Sequence, residues 1–223
     1  MTSVQLVVVG GGPGGYSAAF LAADLGLSVA LVDPELNPGG VCVYRGCIPS
    51  KALLHVAKLI DESRQAKAWG VEFGEPRVNL DQLRAFKDKV VTRLTSGTGQ
   101  LAKHRKVNYI QGWATIVDAH TLTVNRTAGG EETVQFEHAL LATGSLPAIP
   151  PMLKVDDPRV MDSTAALDLP DIPTSLLVVG GGYIGLELGS VYAALGSAVT
   201  VVEMTPGLLP GADRDLVDVL AKR

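Results

Sequence analysis

"QLVVVGGGPGGYSAAFLAADLGLSVALVD", residues 5–33, decides the fold. An apolar, β-branched run ends at Val9, and a G-x-G-x-x-G pattern follows at Gly10, Gly12 and Gly15. A helical stretch then closes at Leu25-Gly26, a second apolar run follows, and the segment finishes on Asp33. Moved along the chain by 170 positions, it overlies "SLLVVGGGYIGLELGSVYAALGSAVTVVE", residues 175–203, without a gap. Each part has a physical job. The apolar runs predict strands buried on both faces, and Gly10 or Gly180 makes the tight turn out of the first strand. Gly12 and Gly182 bring the backbone up to a pyrophosphate. Gly15 and Gly185 let the helix pack closely on the strand, and the helix N-terminus offers unpaired N–H groups to the phosphates. Asp33 and Glu203 stand where a carboxylate can accept hydrogen bonds from an adenosine ribose. A lone glycine pattern also arises from strand–helix packing, but its recurrence with strands, helix and acid in register implies two dinucleotides. Glu203 would repel a 2′-phosphate, and "EMTPGLL" after it brings no Arg or Lys, so the second site should prefer NAD to NADP.

Outward from this repeat, composition sets the bounds. The 223 residues suit one or two domains, with 47% apolar residues and 19% charged. A net charge of −4 gives no electrostatic reason to expect nucleic acid or an anionic membrane as partner. The apolar regions 6–32 and 176–202 are broken by glycines and by Asp24 or Glu187, so no membrane span is expected. The N-terminal "MTSVQLVVVGGG" lacks a basic region and a cleavage site, so a cytoplasmic setting is expected. The fold class expected is α/β, with two doubly wound, parallel-sheet (Rossmann-like) units. Short runs over about 107–136 suggest a small antiparallel insertion in the first. "HALLATG" then reads as a buried strand returning to the main sheet, and the proline-rich 145–158 as a linker. The domains are expected at 1–148 and 149–223. A helix is expected after Cys47 with Leu53, Leu54, Val56, Leu59 and Ile60 on its apolar face. Another should start at Asn79, its charges forming a solvated face.

Both cysteines fall in "GGVCVYRGCIPSK", residues 39–51. Three readings are open for Cys42 and Cys47. Two unconnected core thiols fit poorly between glycines and a helix start. Zinc needs further ligands, and His55, His104, His120 and His138 lack ligand spacing, so no metal site is expected. The third is a reversible disulfide, helped by a helix N-terminus that stabilises the Cys47 thiolate. A dithiol gives up two electrons and NAD takes them only as hydride, so FAD would have to stand between the two.

"GGVCVYRGCIPSKALLH", "LLATGS" and "GGGYIGLE" together resemble the pyridine nucleotide-disulfide oxidoreductase family, and the C-x₄-C-I-P-S-K spacing is most similar to its dihydrolipoamide dehydrogenase branch. A mercuric reductase-like enzyme and a non-catalytic FAD-binding fragment are the alternatives. The resemblance implies that Cys42 is the exchange thiol attacked by dihydrolipoamide and Cys47 the thiolate facing the flavin. Lys51 would lie near the flavin, paired with Glu187. Gly10, Gly12, Gly15, Asp33, Gly40, Ala114, Thr143 and Gly144 would hold FAD, and Gly180, Gly181, Gly182, Ile184, Gly185 and Glu203 would hold NAD. Lipoyl domains of 2-oxo acid dehydrogenase complexes are the implied partners, with a homodimer for the full-length enzyme. The chain departs from the family in three ways. Asp33 stands for a commoner Glu, and Tyr44-Arg45 for a commoner Asn-Val. The family chain is also about twice as long, so this one is expected to be its N-terminal half, without the interface domain and its His-Glu pair.

Overall fold

The computed structural model describes residues 2–222. In chain order the elements are β1 (Thr2–Val9), α1 (Pro13–Asp24), β2 (Val29–Asp33), α2 (Gly40–Arg45), α3 (Cys47–Gln65) and α4 (Leu80–His104). They continue with β3 (Asn108–Asp118), β4 (Thr121–Arg126), β5 (Glu131–Leu141), α5 (Ser163–Leu167), β6 (Ser175–Val179), α6 (Tyr183–Leu195), β7 (Ala198–Val202) and α7 (Arg214–Ala221). The chain is an α/β protein with a mainly parallel sheet, and it divides into two compact units. The first holds the chain up to Ile48 with Lys89–Leu146, the second Pro49–Asp88 with the chain from Pro147 onward. The change near 146/147 falls at the proline-rich stretch. Residues 49–88, by contrast, group with the later part of the chain.

In the first unit β1 pairs in parallel with β2 on one side and β5 on the other, and β2 pairs in parallel with β3. β3, β4 and β5 form an antiparallel meander, so the hydrogen-bonded strands close into a circuit. Side chains alternate across the pleat. Val7, Ala30, Val32, Ile110, Leu122, Val124 and Val134 face one core, while Val8, Leu31, Ala19, Phe20, Ala102 and Val107 form another with α1 and α4. Two cores on one sheet explain why β2 is buried at every position and reads as an unbroken apolar run from Val29 to Val32.

The small antiparallel insertion expected at about 107–136 is continuous with the parallel strands. β3 and β5 each belong to both parts, β3 leaving its parallel partner after Gln111 and meeting β4 from Gly112. The reason is Gly112 itself. A Cβ there would come 2.5 Å from the Asn125 carbonyl oxygen and 2.6 Å from a Val124 methyl, so only a bare Cα lets the strand pass unbroken. The "HALL" segment does return to the main sheet, but it is mostly exposed rather than buried.

In the second unit β6 and β7 pair in parallel with α6 between them in the chain. The expectation of strands buried on both faces fails here. Leu177, Val179 and Val202 are exposed, because the described residues supply only two strands and pack just one face. That core joins Leu53, Ala57 and Leu83 to Leu167, Leu169, Leu188, Val191 and Tyr192. On α3 the buried face is Leu53, Ala57 and Ile60, whereas Leu59 turns outward. On α4, Asn79 caps the start by accepting from the Gln82 N–H. Its charges are not all solvated. Lys87 is 6% exposed and donates to the Leu167 carbonyl at 3.0 Å, while Arg84 donates to the Leu169 and Pro170 carbonyls. These cations satisfy the backbone of an irregular segment that no ladder reaches.

The repeat extends to single hydrogen bonds. The Gly10 N–H donates to the Val32 carbonyl and Gly180 to Val202, both at 2.8 Å. Tyr16 donates to Gly12 and Leu186 to Gly182, and the pairings Val9↔Val32 and Val179↔Val202 coincide at the same offset.

Candidate functional site

In the first unit the turn after β1 is set by Gly10, whose φ of 103° suits only glycine without strain. A side chain there would also run into the Ala142 carbonyl and the Thr143 amide, so the end of β5 lies directly against the turn. Gly15 lies so close to Gly10 that a Cβ would overlap the Gly10 carbonyl oxygen. Gly12, by contrast, has open space beside it: its nearest neighbour would be the Gly40 Cα at 4.0 Å. It caps α1 without a side-chain hydrogen bond, and Pro13 takes the first helical position. This bare, amide-rich N-terminus fits a pyrophosphate. Asp33 accepts from the Gly11 N–H at 2.5 Å and from the Glu35 N–H at 2.9 Å, one oxygen to each. The carboxylate placed in the sequence against a ribose thus first ties its own strand to the glycine turn, leaving further lone pairs on both oxygens. Ala114 is half-buried on β3, and Thr143 and Gly144 follow β5.

The cysteines lie on two consecutive helices. Cys42 is half-buried in the middle of α2, and Cys47 is exposed as the first residue of α3. Cys47 thus stands at the N-terminal end of a 19-residue helix. The start of α2 leans on the glycine turn: the Gly39 N–H donates to the Gly11 carbonyl at 2.7 Å, and a Cβ on Gly40 would come 2.5 Å from the Gly12 Cα. Its far end is tied down by Tyr44 and Arg45. The Tyr44 hydroxyl donates to the Asn37 carbonyl at 3.0 Å and accepts from the Asn37 N–H at 3.1 Å. Arg45 pairs with Glu35 at 2.5 Å. The same loop is held from behind by Tyr109, which donates to the Glu35 carbonyl, by Gln111 on Pro34 and by Thr98 on Pro38. Burial pushes the Tyr109 phenol strongly up and the Tyr44 phenol up, so both stay protonated hydrogen-bonding groups.

In the second unit Gly180 has a φ of 108° and Gly185 packs against its carbonyl, as in the first. Gly182 caps α6 without a side-chain hydrogen bond, and Ile184 lies exposed in its first turn. Glu203 accepts from the Gly181 N–H at 2.7 Å and from the Thr205 N–H at 2.8 Å, and these bonds hold its carboxyl below the usual glutamate range. The loop beyond folds back so that the Leu209 N–H donates to the Gly181 carbonyl at 2.9 Å. Lys51, one turn along α3 from Cys47, stands 4.0 Å from Glu187 on α6. Glu187 also accepts from the Ser50 hydroxyl at 3.0 Å. At 64% and 34% side-chain exposure the ion pair contributes little to stability, so it positions charge rather than holding the fold.

Sequence reasoning gave no site role to Ser50, Glu35 or Asn37 and named Tyr44 and Arg45 only as departures within the motif. Position within the cysteine motif was the available signal for Ser50, Tyr44 and Arg45; nothing marked Glu35 or Asn37. Among the described residues no group of three or more His, Cys, Asp or Glu could hold a metal, and no helix is long and apolar enough to cross a membrane.

Paired glycine turns, each tied to an acid at the end of its second strand, and a C-x₄-C segment leaning on the first of them define a nucleotide-linked thiol protein. The model of the pyridine nucleotide-disulphide oxidoreductase family matches residues 4–223, and the chain belongs to that family. Among individual relatives it is 51% identical over 219 residues to dihydrolipoyl dehydrogenase of Haemophilus influenzae, a match covering 98% of this chain and 46% of that one. The Vibrio cholerae dihydrolipoyl dehydrogenase is 48% identical over 219 residues, with the same coverage. A solved structure, the Cu(II) complex of the HOCl-induced flavoprotein disulfide reductase RclA from Escherichia coli, superposes with a TM-score of 0.81 at 31% identity. It covers 100% of this chain and 47% of that one. The chain thus spans about half the length of the curated relatives it matches.

Proposed function

We propose that the chain is the nucleotide-binding half of an FAD-containing, NAD-linked dihydrolipoyl dehydrogenase. The observation that carries the reading is Cys47 at the start of α3, five positions after Cys42 on a helix braced against an open glycine turn. In this reading residues 1–148 form the FAD unit and 149–223 the start of the NAD unit, both Rossmann-like. Gly10, Gly12, Gly15, Asp33, Gly40, Ala114, Thr143 and Gly144 hold FAD, and Gly180, Gly181, Gly182, Ile184, Gly185 and Glu203 hold NAD.

A thiolate of dihydrolipoamide attacks the Cys42 sulfur of a Cys42–Cys47 disulfide, and Cys47 leaves as thiolate. The second thiol of the substrate then attacks its own sulfur on Cys42, releasing lipoamide and the Cys42 thiolate. Two electrons now reside on the cysteine pair. Bound FAD supplies the two-electron relay from this dithiol to NAD⁺. Lys51 places a cation one turn from Cys47, and Glu187 with Ser50 fixes the direction of that ammonium. Lipoyl domains of 2-oxo acid dehydrogenase complexes are the proposed partners, a homodimer the proposed assembly of the full-length enzyme, and the cytoplasm the proposed setting.

The test is the visible spectrum of the purified chain under anaerobic conditions, before and after adding dihydrolipoamide. A flavin spectrum that gains a long-wavelength charge-transfer band supports the reading. Bound flavin without that band favours a cofactor-binding piece that turns nothing over.

A further inference from the structure

Helix α2 is six residues long, far below the roughly 12–15 at which a helix stands alone in water, so its contacts decide where Cys42 lies. Its first turn rests on the glycine turn through Gly39 and Gly40, and its last turn is fastened to the loop after β2 through Tyr44 and Arg45. That loop cannot easily yield. Its Glu35 gives a backbone N–H to Asp33, a side chain to Arg45 and a carbonyl to Tyr109. A Cβ on Gly99 of α4 would overlap the Asn37 amide oxygen, and Thr98 donates to Pro38.

We propose that Tyr44 and Arg45 are positioning residues for Cys42, a two-point clasp that holds α2 to the Glu35–Asn37 segment and so keeps the thiol half-buried. In functional terms this rests on Cys42 being the exchange thiol; as a statement about the helix it does not. The clasp sets how readily Cys42 meets an incoming sulfur while leaving the exposed Cys47 to the helix that it begins.

The experiment is alkylation of the fully reduced chain by iodoacetamide, with Cys42 and Cys47 followed separately by peptide mass spectrometry. Arg45→Met, Glu35→Gln and Tyr44→Phe should each raise the Cys42 rate about fivefold or more and leave the Cys47 rate within about twofold. Arg45→Lys, which keeps the charge facing Glu35, should bring Cys42 back to within about twofold of the parent. The Glu35→Gln, Arg45→Met double variant should be no faster than either single one, because both remove the same contact. Cys42 rates within twofold of the parent in all the single variants overturn the clasp. So does a parallel rise at both cysteines, which signals general loosening. Oxidised glutathione added to the parent separates the two ideas. If no Cys42–Cys47 bridge forms, the disulfide reading of function falls, while the alkylation pattern still decides the clasp.

Discussion

Two neighbouring glycines separate packing from propensity. In a helix interior Ala is favoured over Gly by about 1 kcal/mol. At Gly14 an added Cβ would touch only the Ala142 methyl at 4.0 Å, so Gly14→Ala should be neutral or stabilising by up to that amount. At Gly15 the same methyl overlaps the Gly10 carbonyl oxygen, and Gly15→Ala should cost about 2 kcal/mol or more. Urea midpoints of the two variants decide it, and equal midpoints would refute the close approach. A second residue-scale prediction concerns Glu203, whose carboxyl is lowered chiefly by the Thr205 N–H, then by that of Gly181. A lowered folded-state pKa means that the tie contributes stability above the ordinary glutamate pKa and loses it as pH falls through the folded value. In an NMR titration the Gly181 and Thr205 amides should shift together, with a midpoint below the roughly 4.3 of an unperturbed glutamate. The acids were legible in the sequence because both stand at one offset from their glycines. Their use on backbone amides was not, since residue type does not say which donor a carboxylate meets first.

Among the elements, those with a periodic pattern were readable and those defined by contact were not. α3 starts at Cys47 and α4 at an Asn cap, as pattern and capping chemistry predict. α2 gave no signal because six residues that begin with Gly40 and lie between Gly39 and Gly46 carry no helical period, and the clasp and the glycine turn hold it in place. β3 was read as two runs because Gly112 resembles a break, yet it is the place where a missing side chain lets one strand serve two partners. Gly112→Val should therefore damage the element whatever valine's liking for strands. The β3–β4 ladder would open between Gly112 and Ala114, and hydrogen exchange of the Thr127 amide, which donates to the Gln111 carbonyl, should accelerate by about tenfold or more. Unchanged exchange would show that β4 can shift to make room.

For the whole molecule, the repeat foretold the architecture of each βαβ segment, while the grouping of 49–88 with the later chain was hidden. It depends on which apolar face meets which, and α3 and α4 would serve equally well beside either sheet. One consequence can be checked directly. Protease cutting within 147–160 should not release residues 161–222 from the rest, because Leu53, Ala57 and Leu83 share a core with Leu167, Leu188, Val191 and Tyr192. The fragments should elute together from a sizing column and part only in denaturant. The same core also has a history in time. Leu53 leaves the ribosome 135 residues before Leu188, a delay of roughly 7 to 30 s at ordinary rates of synthesis. Throughout that interval the apolar stripe of α3 lacks its partners on α6, Leu188, Val191 and Tyr192. A nascent chain paused near residue 160 should therefore be a better chaperone substrate than one whose Tyr192 is already clear of the tunnel.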